Sequence, residues 1–403
     1  MYVGKTGESI FLAYVVLVAI SLFVIQKVYV PVFLASPLVF FLVTSGRFDK
    51  FSLLTSLLLF VISVWATFVF LVNVDTSQLK QLFKIYLSFF FVPFFVSASV
   101  FLRFNGRRFS RVLYWALVFL LLANSLHIFY NVFLADIFLL PFSGEMTSSS
   151  AYRIEEPGIY FGAPNKNIWA TKYLFMFLIY LSFFFLGVRK VGFWDKFLIV
   201  VFSVSVLYGM SRTSQLAYAV FLCLVVLFFS LRASIYFRVI FVACASFGLY
   251  LFFVKFFDLV FHFRFDEGDG FFSRVILWAS VKYIDPLNLL VGSGPGYGLF
   301  HIPEYTHLVN DNFHNVFINQ LADLGVFGVV FYILIYVVFF VSTKKLVGCK
   351  NAILFYLPMM VVVNSHYTGF DNDVMVYFCF VFLMSKLSVY YRSSRVSDAG
   401  SFY

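Results

Sequence analysis

In the stretch NDNFHNVFINQLADLGVFG, running from Asn310 to Gly328, a histidine sits in a polar knot at the head of an apolar run. Asn310, Asp311, Asn312 and Asn315 surround His314. An imidazole titrates near neutrality, and a carboxylate beside it can hold one tautomer, so this grouping suits a general base acting on a hydroxyl. Asp311 is the nearest candidate to orient the ring. The residues after it, about 315–324, predict an amphipathic helix ended by glycine, with Val316, Leu321 and Leu324 on its apolar face. Lying at the membrane interface, such a helix would hold His314 over the membrane mouth.

Two arginines belong to the same chemistry. Arg212 lies in GMSRTSQ (209–215), between two apolar runs separated by about four residues, which puts a guanidinium at the membrane boundary. Charges there are costly and point to function, here a phosphate or carboxylate ligand. Ser211, Thr213 and Ser214 offer hydroxyls around it. Arg274, in GDGFFSRVILWAS (268–280), opens a helix whose Val275, Leu277 and Trp278 are apolar. Arg264, in FHFRFDEGDG, either pairs with Asp266 or Glu267 or meets the substrate. A further segment, AYRIEEPGIYFGAPNKN (151–167), sets Arg153, Glu155, Glu156, Tyr160, Asn165 and Lys166 among aromatics. That mixture suits sugar rings, which need both stacking and hydroxyl partners. GSGPGYG (292–298) is glycine-rich but lacks the Lys-Ser/Thr of a phosphate-binding P-loop; it reads as a turn that lets backbone amides approach a ligand or a helix.

The elements that must position these groups are membrane spans. The 403 residues are 62% hydrophobic and 12% charged, far from the roughly 25% charge of soluble domains. Apolar runs long enough to cross a hydrocarbon layer of about 30 Å recur from end to end. The runs are continuous, not alternating, so the expected fold is all-α, not a barrel. Twelve spans are expected, near 10–26, 28–44, 52–72, 83–102, 112–135, 168–187, 195–210, 215–231, 238–257, 326–342, 351–366 and 374–390. Asn124, His127 and Asn131 interrupt the fifth. The first run lacks a cleavage site and leads straight into the second, so it is expected to be retained. The chain reads as one transmembrane domain over 1–403. One side carries 18 Lys/Arg with 4 Asp/Glu and the other side, including the charges buried in the membrane, 11 with 15, together the 29 and 19 of the chain. The positive-inside rule then makes both termini cytoplasmic. The net charge of +10 therefore reports topology and not a nucleic-acid surface. Two long segments, about 136–167 and 258–325, fall on the periplasmic side and are expected to carry the function. Cys223, Cys244, Cys349 and Cys379 lie in or beside spans without metal-ligand spacing, and no metal or cofactor is expected.

In order, SRTSQ, FFSRVILW, VGSGPGYG and HNVFINQLADLGVFG resemble the O-antigen polymerase and O-antigen ligase superfamily of bacterial envelope glycosyltransferases. The resemblance covers about 150–330 by motif and the whole chain by span number. It implies a GT-C-like fold in the bacterial inner membrane and a metal-independent inverting transfer at the periplasmic face. The donor it implies is a glycan on undecaprenyl pyrophosphate; the acceptor is another lipid-linked glycan for the polymerase or lipid A-core for the ligase. Membrane lipid is a partner in either case, and a chain-length regulator protein accompanies the polymerase branch. Carried onto this sequence, Arg212 and Arg274 clamp the pyrophosphate, His314 activates the acceptor hydroxyl, and Arg153, Arg264, Asn315, Asp311 and Tyr160 contact substrate. The compact Phe-rich chain and full glycine turn favour the polymerase. A lipid or lipid-linked sugar transporter is the competing class, expected to place charges or broken helices near the bilayer midplane.

Overall fold

The computed structural model describes residues 5–23, 29–44, 46–73, 78–101, 106–134, 166–209, 211–230, 271–306, 308, 312–363, 367 and 369–400. All regular structure among them is helical. In chain order the helices are α1 (Lys5–Phe23), α2 (Tyr29–Leu34), α3 (Ser36–Thr44), α4 (Lys50–Asn73), α5 (Leu79–Phe101), α6 (Gly106–Leu134), α7 (Lys166–Phe185), α8 (Phe193–Tyr208) and α9 (Arg212–Ser230). After them come α10 (Phe271–Ala279), a 3-10 turn (Ser280–Tyr283), α11 (Pro286–Val291), α12 (Gly298–Thr306), α13 (Val316–Val347), α14 (Cys349–Val363) and α15 (Asn372–Gly400).

Six of these are long and apolar enough to cross a membrane: Lys50–Asn73, Leu79–Val100, Arg108–Tyr130, Asn167–Phe185, Val316–Val347 and Asn372–Ser393. Shorter apolar helices cover Thr6–Ser21, Tyr29–Thr44, Thr213–Phe228 and Cys349–Val363. The expected ninth span, 238–257, lies outside the described residues. The expected second span is two short helices meeting at Ala35, where Pro37 removes a donor from the ladder.

Helical periodicity divides each span between lipid and protein. On α4, Leu53, Leu57, Phe60, Val64, Phe68 and Leu71 are exposed and recur every three or four residues, while Ser52, Thr55, Ser63 and Ala66 face inward. Large apolar groups outward and small ones inward is the pattern that lets helices in lipid approach closely. Val326, Val330, Ile333, Val337 and Val341 form the same outward stripe on α13. The middle of the bundle is α7 and α15, whose spanning windows are 83% and 78% buried, against 33% for α4 and α13.

The polar residues that interrupt α6 do not break it. Asn124 is buried; its amide donates to the Leu120 carbonyl at 2.9 Å and its oxygen accepts the Trp169 indole N–H at 3.0 Å. Ser125 meets the Tyr173 hydroxyl at 2.7 Å and Ser205 at 2.9 Å. Three helices are thus joined by hydrogen bonds where lipid offers none.

Beyond α9, α10 to α12 build a small second core of Leu277, Ile284, Ile302, Phe313 and Ala322. This unit carries the glycine turn and packs on the first turns of α13.

Candidate functional site

The backbone fixes His314 before its side chain is considered. It has φ +50°, the single non-glycine residue with positive φ among those described. A left-handed histidine costs about 1–3 kcal/mol unless its surroundings impose it, and such strain gathers at functional positions. Here the surroundings do impose it. The His314 N–H donates to Asn312 Oδ1 at 2.8 Å, a local turn that favours this conformation. The Phe313 N–H donates to Asn319 Oδ1 at 2.9 Å, and the Phe313 carbonyl accepts the Trp278 indole N–H at 2.9 Å. Asn315 then caps α13, its Oδ1 accepting from the N–H groups of Phe317 at 3.0 Å and Ile318 at 3.2 Å. The histidine side chain itself is half-buried.

Trp278 joins two of the sequence candidates. It stands one turn after Arg274 on α10, so its bond to Phe313 holds the Arg274 helix against the His314 loop. Arg274 is half-buried. Arg212 is the first residue of α9. Ser211 and Ser214 beside it are buried, and Ser214 lies 3.3 Å from Thr171 on α7. Asn315 spends its carboxamide oxygen on the cap, which leaves its amide nitrogen for a substrate. Arg153, Tyr160, Arg264 and Asp311 lie outside the described residues.

The glycine turn has one reading left. Ser293 and Gly294 donate their N–H groups to the carbonyls of Ala322 and Asp323, both at 2.9 Å, and the Tyr297 N–H donates to Asp323 Oδ1 at 3.0 Å. These amides grip α13 rather than an anion. A Cβ at Gly292 would stand 2.6 Å from the Asp323 carbonyl oxygen, and one at Gly325 would stand 2.2 Å from the Leu290 carbonyl oxygen. Both glycines therefore permit one contact between two backbones.

Gly325 also breaks α13. Its φ of +67° and ψ of −162° separate Val316–Leu324 from the long span that follows. The freed Leu324 carbonyl accepts the Trp65 indole N–H from α4 at 3.0 Å. The short segment is not an interfacial helix with a wet polar face, as its amphipathic pattern predicts. Asn319, Gln320 and Asp323 are buried, at 3%, 3% and 6% exposure. The polar stripe turns inward because it has partners there: Asn319 bridges the His314 loop and the Tyr367 carbonyl, which its amide meets at 3.1 Å, while Asp323 holds the glycine turn.

Sequence reasoning passed over two ion pairs. Lys84 on α5 bonds Asp371 at 3.1 Å, and Lys172 on α7 lies 3.6 Å from Asp373 at the start of α15. A polar cavity of about 20 Å³, room for a single water, lies between Gln81, Lys84, Gln320 and Asp323. The signal was present in the sequence as opposite charges inside or at the ends of different spans, which default to function in membrane proteins. Pairing them needs the fold. Among the described residues, no group of three or more His, Cys, Asp or Glu gathers to hold a metal ion.

Residues 197–333 match the family model described as O-antigen ligase. That segment is similar to the O-antigen ligase family, and it covers about a third of the chain. It begins in α8, takes in Arg212, Arg274, the glycine turn and His314, and ends just past the Gly325 break. The family implies a glycosyl-transfer enzyme of the ligase or polymerase type, working in a membrane on a lipid-linked glycan and an acceptor. No curated protein matches the chain at a significant level.

Proposed function

We propose that the protein is a glycosyltransferase of the bacterial inner membrane that polymerises undecaprenyl-pyrophosphate-linked repeat units at the periplasmic face. The observation that carries the reading is the fixing of His314: a strained residue within an O-antigen ligase family domain, held between the Arg274 helix and a capped helix. In this reading the acceptor hydroxyl attacks the anomeric carbon of the donor glycan and its proton passes to the imidazole. The bond from that carbon to the pyrophosphate oxygen breaks with inversion, and the carrier leaves with the electron pair. Arg212 and Arg274 stabilise the charge growing on the leaving pyrophosphate, since guanidinium forks match phosphate oxygens. Arg153, Arg264, Asp311 and Tyr160, with the Asn315 amide, would contact glycan or carrier. No metal enters the step. The twelve spans, the GT-C-like fold, the two cytoplasmic termini and a chain-length regulator belong to the same proposal.

Transfer to lipid A-core is the second reading, because the family domain serves ligase and polymerase alike. A transporter is less well supported. Lys84, Lys172 and Asp373 lie within two turns of helix ends and not mid-span, and the break at Gly325 ends the nine-residue segment that Asn315 caps. The test is purified protein in liposomes given the lipid-linked repeat unit, with and without lipid A-core. Oligomers from donor alone establish the polymerase, and products formed only with lipid A-core establish the ligase. Movement of the donor across the bilayer without new glycosidic bonds would overturn the enzyme reading, and unchanged synthesis by His314→Ala would overturn the role given to His314.

A further inference from the structure

An aromatic ladder runs from the surface of the α10–α12 unit to the residue beside His314. At its outer end the rings of Tyr283 and Tyr305 stack with centres 5.1 Å apart and planes 14° apart. Tyr305 then meets His301 at 4.6 Å, and His301 meets Phe313 at 5.9 Å and Tyr297 at 5.3 Å. The inner rungs are rigid. His301 and Phe313 are fully buried, and His301 Nε2 bonds the Ser280 carbonyl at 2.9 Å. The outer rungs are open, with Tyr283 53% and Tyr305 42% exposed.

The rim of the exposed pair is charged. Lys282 Nζ lies 4.8 Å from the centre of the Tyr283 ring, and the exposed carboxylate of Glu304 precedes Tyr305 in the chain. The lipid-facing stripes of α4 and α13 carry no such charges. Two stacked, exposed rings flanked by an ammonium and a carboxylate suit a sugar. The apolar face of a pyranose lies on a ring while its hydroxyls meet the charges.

We propose that Tyr283 and Tyr305, with Lys282 and Glu304, form a glycan-binding platform that holds saccharide residues beyond the one at the reaction centre. The substrate class rests on the function proposed above; the site itself is separate from Arg212, Arg274 and His314. A ladder whose inner rung is Phe313 puts this platform beside the reaction centre, where a chain of several sugars extends out of it. The hydroxyls of Tyr283 and Tyr305 are secondary; Tyr305 already meets both Tyr283 and His301, so the more exposed Tyr283 ring carries the contact and Tyr305 backs it.

The test is titration of detergent-solubilised full-length protein with oligosaccharide released by mild acid from the host's lipid-linked glycan. Intrinsic fluorescence and calorimetry give the readouts. Wild type should bind, Tyr283→Ala with Tyr305→Ala should weaken binding at least tenfold, and Tyr283→Phe with Tyr305→Phe should stay within threefold. His314→Ala should bind as wild type while losing transfer, so failure of the platform and failure of the enzyme reading appear in different measurements. Thermal melting of Tyr283→Ala alone, which leaves the Tyr305–His301 contact, guards against a folding defect. Equal binding by wild type and the double alanine variant would overturn the platform. So would equal loss in the alanine and phenylalanine pairs, or an alanine pair that loses stability in lipid nanodiscs but still binds glycan, which would make the rings an interface anchor.

Discussion

Individual side chains in this protein serve two masters, and substitutions separate them. Asn315 caps α13 through its oxygen and is a proposed substrate contact through its nitrogen. Asn315→Ala should cost about 1 kcal/mol in stability, the usual worth of such a cap. Asn315→Asp keeps an acceptor at the cap, so its melting temperature in detergent should match wild type. If the amide touches substrate, glycan synthesis by that variant should still fall at least tenfold; full synthesis would confine Asn315 to the cap. His301 gives a pH prediction. Burial pushes its imidazole below the ordinary value near 6.5, against smaller opposing effects of the Ser280 carbonyl and Glu304. A depressed pKa means the folded state binds fewer protons than the unfolded state. Stability is then complete above about pH 6.5 and is lost as pH falls from there toward the folded value. Nδ1 has no hydrogen-bond partner among the described residues, so a proton gained there would be buried unsatisfied. The melting temperature should drop between pH 7 and 5, and His301→Gln should flatten that drop.

At the scale of elements, the site depends on one break. The pattern Leu-Gly-x-x-Gly ends the Val316–Leu324 segment because Gly325 takes a backbone conformation open essentially to glycine alone. The approach of the Leu290 carbonyl to the same residue makes the position doubly restrictive. Gly325→Ala should cost at least about 2 kcal/mol from strain alone. It should also pull the glycine turn off Asp323 and so misplace the His314 loop. Protection of the 293–297 amides against hydrogen exchange should be lost together with glycan synthesis. Retained protection would mean the turn does not depend on the break.

For the molecule as a whole, two ion pairs tie early helices to the last one. Lys84 and Asp371 are 287 residues apart, and Lys172 and Asp373 join the two most buried spans. Removing one member of a buried pair leaves an uncompensated charge and typically costs about 3–5 kcal/mol. Lys172→Met should therefore melt well below wild type, and adding Asp373→Leu should recover most of the loss. If Lys172→Met alone is as stable as wild type, the pair is not a staple. Activity of the double variant then reports whether the pair does more than hold α7 to α15.

The division between sequence and tertiary structure follows from the range of each force. Continuous apolar runs determined helices, because the backbone in lipid must satisfy itself, and α4 to α9 and α13 to α15 lie close to the expected spans. The likeness to the O-antigen ligase family was legible too, since the motifs are local and ordered along the chain, and the family-model match over 197–333 agrees with them. Local chemistry likewise marked the stop at Gly325. Which way a polar residue points is not local. Asn319, Gln320 and Asp323 look like a wet face in sequence and are buried. Lys84, Lys172, Asp371 and Asp373 became two pairs only when helices hundreds of residues apart were brought side by side. A charge in lipid is decided by what stands within about 4 Å of it, and that neighbour is supplied by the tertiary fold.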